Sequence, residues 1–276
     1  MGKLMKYEIK GSYKFILGVL ALVLILTTGI YAYIVNNKGG SPAGALFVGL
    51  SVLIIFGSLL TTFLYIVSSF RKELYEDRGY LTFTLPLTGN QVLGAKLIVA
   101  LMWFTILAIV IVVYHLIMLS IFAPTEFSIS QLFSRATSAA LPYKEIITTI
   151  ILGFINGTLT LILIYFSMAL SRVTFRNKKI GGFWFVVFLV LNGIITYSQI
   201  KIAQLIPYYL DISTFTIGSM DILSHGFHVD VDRYGIMMAG DFGNILFNIP
   251  SFIYSIIIGI VMFLGTGYLI ENKIDI

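Results

Sequence analysis

The densest group of chemically active side chains in this sequence lies between Arg71 and Arg78. Six of these eight residues are charged, in a chain of which only 11% is charged overall. Closely spaced cations and acids beside the aromatic ring of Tyr75 suit ionic and hydrogen-bonded contact with a protein surface. We therefore predict that this segment lies in water and contacts a soluble partner.

A second group of reactive side chains stands late in the chain. His225 and His228 are three residues apart and Asp230 follows them. Imidazoles and carboxylates are ligands for zinc and other divalent ions. An exposed polar loop uses the same residue types, so we expect a loop without metal and keep these three residues as the metal candidate.

Motifs that would bind a nucleotide or hydrolyse a substrate are missing. The sequence contains no G-x-x-x-x-G-K-[ST], no G-x-S-x-G and no H-E-x-x-H. It also contains no cysteine, which excludes disulfides and thiolate metal sites. We therefore expect that the chain is not an enzyme, has no catalytic residues and binds no cofactor itself.

The elements that carry these residues are predicted from hydropathy. With 58% hydrophobic residues and a mean hydropathy of +0.96, the composition is that of an integral membrane protein. Runs of about 20 apolar residues can cross a bilayer as helices. Six such runs are predicted, at about 15–35, 45–70, 97–122, 146–171, 182–199 and 250–270. The predicted fold is an all-α membrane protein, a six-transmembrane-helix bundle forming a single domain over 1–276.

The distribution of basic residues predicts the orientation. A cytoplasmic N-terminus places 13 of the 18 lysines and arginines inside, as membrane proteins prefer. Both termini and the loop 71–96 are then cytoplasmic. The segment 201–248 becomes an extracellular cap, in which we expect short interfacial or re-entrant helices.

The first 14 residues carry lysines at helical spacing. Lys3, Lys6, Lys10 and Lys14 would form one stripe, with Met5 opposite. This pattern predicts an interfacial helix over 1–14 that lies on the membrane lipids. A positive flank that only anchors the first span explains the lysines as well.

Polar and small residues within the spans indicate where a helix contacts another helix or lines a polar path through the membrane. Polar side chains in a membrane face a partner helix or a polar path, and these two roles remain open for Asn156, Asn192, Gln199 and His115. Glycines allow close approach of helices, either between subunits or within one, at Gly29, Gly153 and Gly157.

The run from Glu73 to Thr88, continued by Gln91 to Leu97, resembles the first cytoplasmic loop of bacterial type-two ATP-binding-cassette exporter permeases. Permeases of that family have six spans, internal termini and a short coupling helix in this loop that docks on a separate ATPase. The resemblance assigns ATPase coupling to Glu73, Leu74, Tyr75, Glu76, Asp77, Arg78, Gly79, Tyr80 and Thr82. It also implies a bacterial cell membrane location.

The partners implied by this resemblance are a P-loop ATPase subunit, which would hold ATP and magnesium, and a second permease copy or a paralogue. No nucleic-acid partner is expected. The cargo would be an amphipathic or antimicrobial peptide, a lipid or a drug. Two other functions stay open, an ion-coupled secondary transporter and a non-transporting membrane scaffold or sensor.

Overall fold

A computed structural model describes residues 1–36, 42–75, 87–122, 143–174, 182–219, 237–239 and 245–274. The helices within these ranges are α1 (Gly2–Asn36), α2 (Pro42–Tyr75), α3 (Gly89–Phe122), α4 (Tyr143–Thr174), α5 (Phe183–Leu205) and α6 (Ile249–Asn272). All six are long and apolar enough to cross a membrane. The predicted multi-pass helical membrane protein is thereby confirmed.

The helices of the described chain form two compact units. The first holds α1 with the described residues of 42–73 and 94–122, and the second holds those of 74–93 and 143–274. In the first unit, Ile16 of α1 packs with Val99, Trp103 and Leu107 of α3. In the second unit, α4 makes extensive contacts with both α5 and α6. The first unit therefore joins helices that are not consecutive in the chain, whereas in the second α4 contacts both the next helix, α5, and the more distant α6.

Residues 1–14 are not a separate interfacial helix, which corrects the sequence-based prediction. They form the first turns of α1, which continues without interruption to Asn36. Met5 and Ile9 pack on the same cluster as Ile16, while Lys10 is exposed. Packing against α3 along this whole face favours one continuous helix over a bend.

The described part of the segment 201–248 contains strands, so the expected short helices are wrong for these residues. Helix α5 continues to Leu205, beyond the predicted end of its span at 199, before the strands begin. The strands are β1 (Tyr208–Asp211), β2 (Ile217–Ser219), β3 (Met237–Ala239) and β4 (Ile245–Asn248), in the antiparallel order β2-β1-β4-β3. Ile212 and Phe247 bury their side chains against Leu152 of α4. Pairing between the strands satisfies their backbone hydrogen-bonding groups, while Ile212 and Phe247 contribute to the apolar core.

The junction between β4 and α6 is fixed by one side chain. Asn248 is fully buried, and its Oδ1 accepts a hydrogen bond of 2.9 Å from the backbone N–H of Ser251. The Nδ2 of Asn248 donates to the carbonyl of Ile206, at 3.3 Å. Because Asn caps the helix and Pro250 fits its first turn, α6 begins at a defined residue.

Candidate functional site

The charged segment singled out above begins within α2. Glu73, Leu74 and Tyr75 are the last three residues of this helix, and α3 begins at Gly89. The remaining residues to which the resemblance assigns ATPase coupling lie outside the described ranges; they are Glu76, Asp77, Arg78, Gly79, Tyr80 and Thr82. What the described ranges reveal is how both ends of the connection between α2 and α3, Tyr75 and Gly89, are held.

The first end is held by α4. The Tyr75 hydroxyl donates a hydrogen bond of 3.2 Å to the backbone carbonyl of Met168. The Arg172 guanidinium lies 5.6 Å from the centre of the Tyr75 ring, within the range of a cation–π contact. Leu74 beside it is buried. These contacts tie the end of α2 to the last turns of α4.

The second end is held by α6. The backbone N–H of Gly89 donates a hydrogen bond of 3.3 Å to Oε2 of Glu271. A carboxylate at this position also interacts favourably with the positive end of the α3 dipole. Any Cβ at Gly89 would collide with the backbone carbonyl of Gly267, so the close approach of α3 and α6 requires glycine there.

A polar groove in the second unit lies between α4, α5 and α6. Its volume is about 140 Å³. Aliphatic side chains and Gly259 form part of its wall, and its polar residues are Asn156, Thr160, Asn192, Thr196, Gln199 and Ser255. None of the lining residues is charged. We call this feature the polar groove.

Internal hydrogen bonds hold one side of the polar groove. Gln199 donates through Nε2 to the Ser255 hydroxyl at 2.6 Å, and Ser255 donates to the carbonyl of Ser251 at 2.7 Å. Asn156 uses Nδ2 to bond the Leu152 carbonyl in the preceding turn, at 3.0 Å. Of these bonds, the one between Gln199 and Ser255 joins α5 to α6 beside the polar opening.

The other side of the polar groove is open. Asn192 and Thr196 stand one turn apart on α5 and are exposed, and neither side chain makes a hydrogen bond to the part of the chain that the structure describes. Both lie near the middle of α5. Lipid tails offer no hydrogen-bonding partner at that depth, so water, a ligand or a helix of another chain must supply one.

Three of the four predicted polar residues, Asn156, Asn192 and Gln199, thus meet in the polar groove. His115 does not. Its Nδ1 lies 2.8 Å from the carbonyl of Ile111 in the same helix, and its ring meets that of Tyr31 on α1 edge-on, with the ring centres 6.0 Å apart. The choice between an interhelical contact and a polar path stays a prediction for all four residues.

No side chain of the described residues packs over the glycines predicted at an interface. A Cβ placed on Gly29, Gly153 or Gly157 would meet no atom within 4 Å. The subunit-interface prediction for them stays a prediction. The metal candidates His225, His228 and Asp230 lie outside the described residues.

A buried ionic triad in the first unit was not predicted from the sequence. Lys96 of α3 places Nζ 2.7 Å from Oε1 of Glu8 on α1 and 2.7 Å from Oε1 of Glu73 on α2. The side chain of Lys96 is only 4% exposed, and the two carboxylates are 17% and 14% exposed. One cation therefore joins three helices, and we call the three residues the Lys96 triad.

A neutral hydrogen bond extends the Lys96 triad by one turn. The indole Nε1 of Trp103 donates to the Ser12 hydroxyl at 2.9 Å, and Ser12 donates to the carbonyl of Glu8 at 2.8 Å. The sequence signal that could have revealed this contact is the pair Glu8 and Ser12, which interrupts the apolar face of α1. Glu73 contacts Lys96 here, and its predicted contact with an ATPase stays a prediction.

The fold and these sites define a multi-pass helical membrane protein with a polar groove among three of its spans. Comparisons with protein-family models, curated proteins and solved structures find no match to the chain.

Proposed function

We propose that this chain is the membrane-spanning permease subunit of an ATP-driven exporter, and that the segment 71–96 couples it to a separate P-loop ATPase. One observation carries the proposal. Tyr75 and Gly89, the two ends of the connection between α2 and α3 within this segment, are bound to α4 and α6, the same helices that line the polar groove with α5. A force applied to the segment would therefore reach the groove through two rigid elements.

The path of transmission is short. Met168, which binds Tyr75, is eight residues from Thr160 in the groove, and Gly267, which contacts Gly89, is eight residues from Gly259. At a rise of 1.5 Å per residue, each distance along the helix is about 12 Å. Tilting or sliding of α4 and α6 by the ATPase would alter the groove at both walls.

The polar groove suits a passage for cargo. Neutral amides and hydroxyls near the middle of the spans let a partly polar molecule pass without a strong electrostatic trap. In this proposal ATP and magnesium are bound by the ATPase subunit, whose binding of ATP shifts the permease between two conformations. A second copy or paralogue completes the complex in a bacterial cell membrane, with all termini of the permease cytoplasmic.

An ion-coupled secondary transporter is the competing function, and the Lys96 triad is the observation that favours it. Its three ionisable groups are buried, as ion-coupling residues are. They lie near the ends of α1, α2 and α3 rather than midway along them, which is unlike a midplane coupling site. Cargo transport in vesicles that stops with an ionophore but survives Glu76→Ala would establish this alternative.

Purification of the full-length tagged chain from its native membrane tests the exporter proposal. We expect a P-loop ATPase to co-purify, and the double variant Glu76→Lys with Asp77→Lys to retain less than a tenth of it. Lys10→Glu, a charge reversal on the exposed face of α1, is the control and should retain the ATPase. Undiminished ATPase content and cargo-stimulated hydrolysis in the double variant would contradict the proposal.

A further inference from the structure

The polar groove has the composition of a binding site rather than of a helix contact. Helix contacts in membranes bury their polar groups against one another. Here Asn156, Thr160, Asn192 and Thr196 all line a cavity and remain exposed. The cavity also has room for several waters, since its volume of about 140 Å³ far exceeds the roughly 10–15 Å³ that one water needs.

Asn192 and Thr196 have hydrogen-bonding capacity to spare. The Asn192 amide presents two donor hydrogens and an acceptor oxygen, and the Thr196 hydroxyl presents one donor. Within the described chain neither group has a hydrogen-bond partner. Because an amide without a partner is strongly unfavourable in hydrocarbon, water must enter the groove whenever neither a ligand nor a helix of another chain occupies it.

The lining also specifies the chemistry of that ligand. Three primary amides, those of Asn156, Asn192 and Gln199, can each pair with a peptide group as donor and acceptor. Leu159, Leu163 and other aliphatic residues of the wall suit apolar side chains. A charged group would lose its hydration without gaining a counter-charge, since no lining residue is charged.

We propose that the polar groove is a hydrated binding site for an uncharged, apolar peptide segment of the cargo. The identity of the ligand as cargo rests on the proposed exporter function. The hydration of the groove and its preference for uncharged peptide groups do not depend on any ATPase.

Because the chain contains no cysteine, the hydration of the polar groove can be tested by labelling single introduced cysteines. Asn192→Cys and Thr196→Cys variants of the full-length chain, in native membranes, would be reacted with a membrane-impermeant hydrophilic maleimide applied to both faces. Leu189→Cys and Ile194→Cys, at exposed apolar positions of the same helix outside the groove, are the matched controls. Thiols react as thiolates in water, so we expect at least tenfold faster labelling at the two groove positions. Equal rates at all four positions would overturn the hydration of the groove.

The ligand class is tested by protection. An acetylated and amidated tetraleucine peptide should slow the labelling of Asn192→Cys at least threefold and leave Leu189→Cys unchanged. A tetralysine peptide with the same blocked ends should give no protection. Absence of protection by tetraleucine, or equal protection by tetralysine, would overturn the assigned ligand class.

This experiment separates the two proposals. Fast labelling with protection by tetraleucine, in a protein that co-purifies with no ATPase, would uphold the binding site and reject the exporter. Slow labelling in a protein that does co-purify with an ATPase would reject the binding site alone.

Discussion

The Lys96 triad and the polar groove both place polar side chains among apolar helices. The triad pairs these side chains with one another, whereas the groove leaves some of them open. The triad brings three charges from three helices into contact at 2.7 Å and leaves them almost wholly buried. The polar groove uses neutral amides and hydroxyls and leaves two of them, Asn192 and Thr196, exposed and without a hydrogen-bond partner among the described residues. The first arrangement is closed within the protein, and the second requires something from outside it.

This difference indicates different purposes. A buried ion pair gains little over apolar packing, but losing one partner strands the other charge at a high cost. Such a contact fixes which helices lie together. Neutral hydrogen bonds can be exchanged with water or ligand at little net free energy, which suits a surface that must bind and release.

Removing the positive charge of Lys96 should have the largest effect on stability. Lys96→Met keeps the length of the side chain and leaves Glu8 and Glu73 facing each other without a counter-charge. We expect a loss of about 3–5 kcal/mol in the free energy of unfolding, measured by thermal unfolding in detergent micelles. The exposed Lys10→Met is the control, and equal stability of these two variants would show that the triad is not a structural contact.

Disrupting the contact between Gly89 and α6 should have a smaller effect on stability. Gly89→Ala introduces a Cβ against the Gly267 carbonyl, so the backbones must separate, at a cost of about 1–3 kcal/mol. Gly193→Ala, where a Cβ meets open space, should be neutral or slightly stabilising. If both variants have the same melting temperature, α3 and α6 do not approach as described.

The two tryptophans of the chain allow the stabilisation from the hydrogen bond between Trp103 and Ser12 to be measured. Trp103→Phe removes the bond to Ser12 and should cost about 1 kcal/mol. Trp184→Phe is the matched control, because the Trp184 Nε1 makes no hydrogen bond within the described residues. Urea unfolding followed by far-UV circular dichroism compares the variants, and a larger loss for Trp184→Phe would contradict this assignment.

The polar groove should show the smallest effect on stability and a clear effect on function. Asn192→Leu removes an exposed side chain without a partner, so we expect a change within about 0.5 kcal/mol in the free energy of unfolding. Protection of Thr196→Cys by tetraleucine should nevertheless decrease at least threefold in the Asn192→Leu background. Strong destabilisation by Asn192→Leu would instead make the groove a structural contact like the triad.

The sequence was sufficient to predict the spans, and it singled out three polar residues, without a settled role, that the structure places in the polar groove. Long apolar runs have few structural solutions in lipid, so hydropathy alone predicted six helices, and all six are present. Polar residues are rare enough in such runs that Asn156, Asn192 and Gln199 stood out. Which residues face one another across helices could not be read from hydropathy.

The features missed from the sequence are contacts over long separations. Glu8 and Lys96 are 88 residues apart, and Gly89 and Glu271 are 182 residues apart. Lys96 was counted only as a marker of orientation, since no local pattern distinguishes a buried lysine from an exposed one. Strands of three or four residues, such as those of 208–248, are likewise too short to show a reliable alternation.

The central claim is that the charged segment controls the polar groove. It is tested most directly by the labelling rate of Asn192→Cys in the complex purified with its ATPase, with and without ATP and magnesium. We predict that ATP changes the rate at least threefold, and that the double variant Glu76→Lys with Asp77→Lys abolishes this response. A labelling rate that is independent of ATP in a complex that hydrolyses it would contradict the claim.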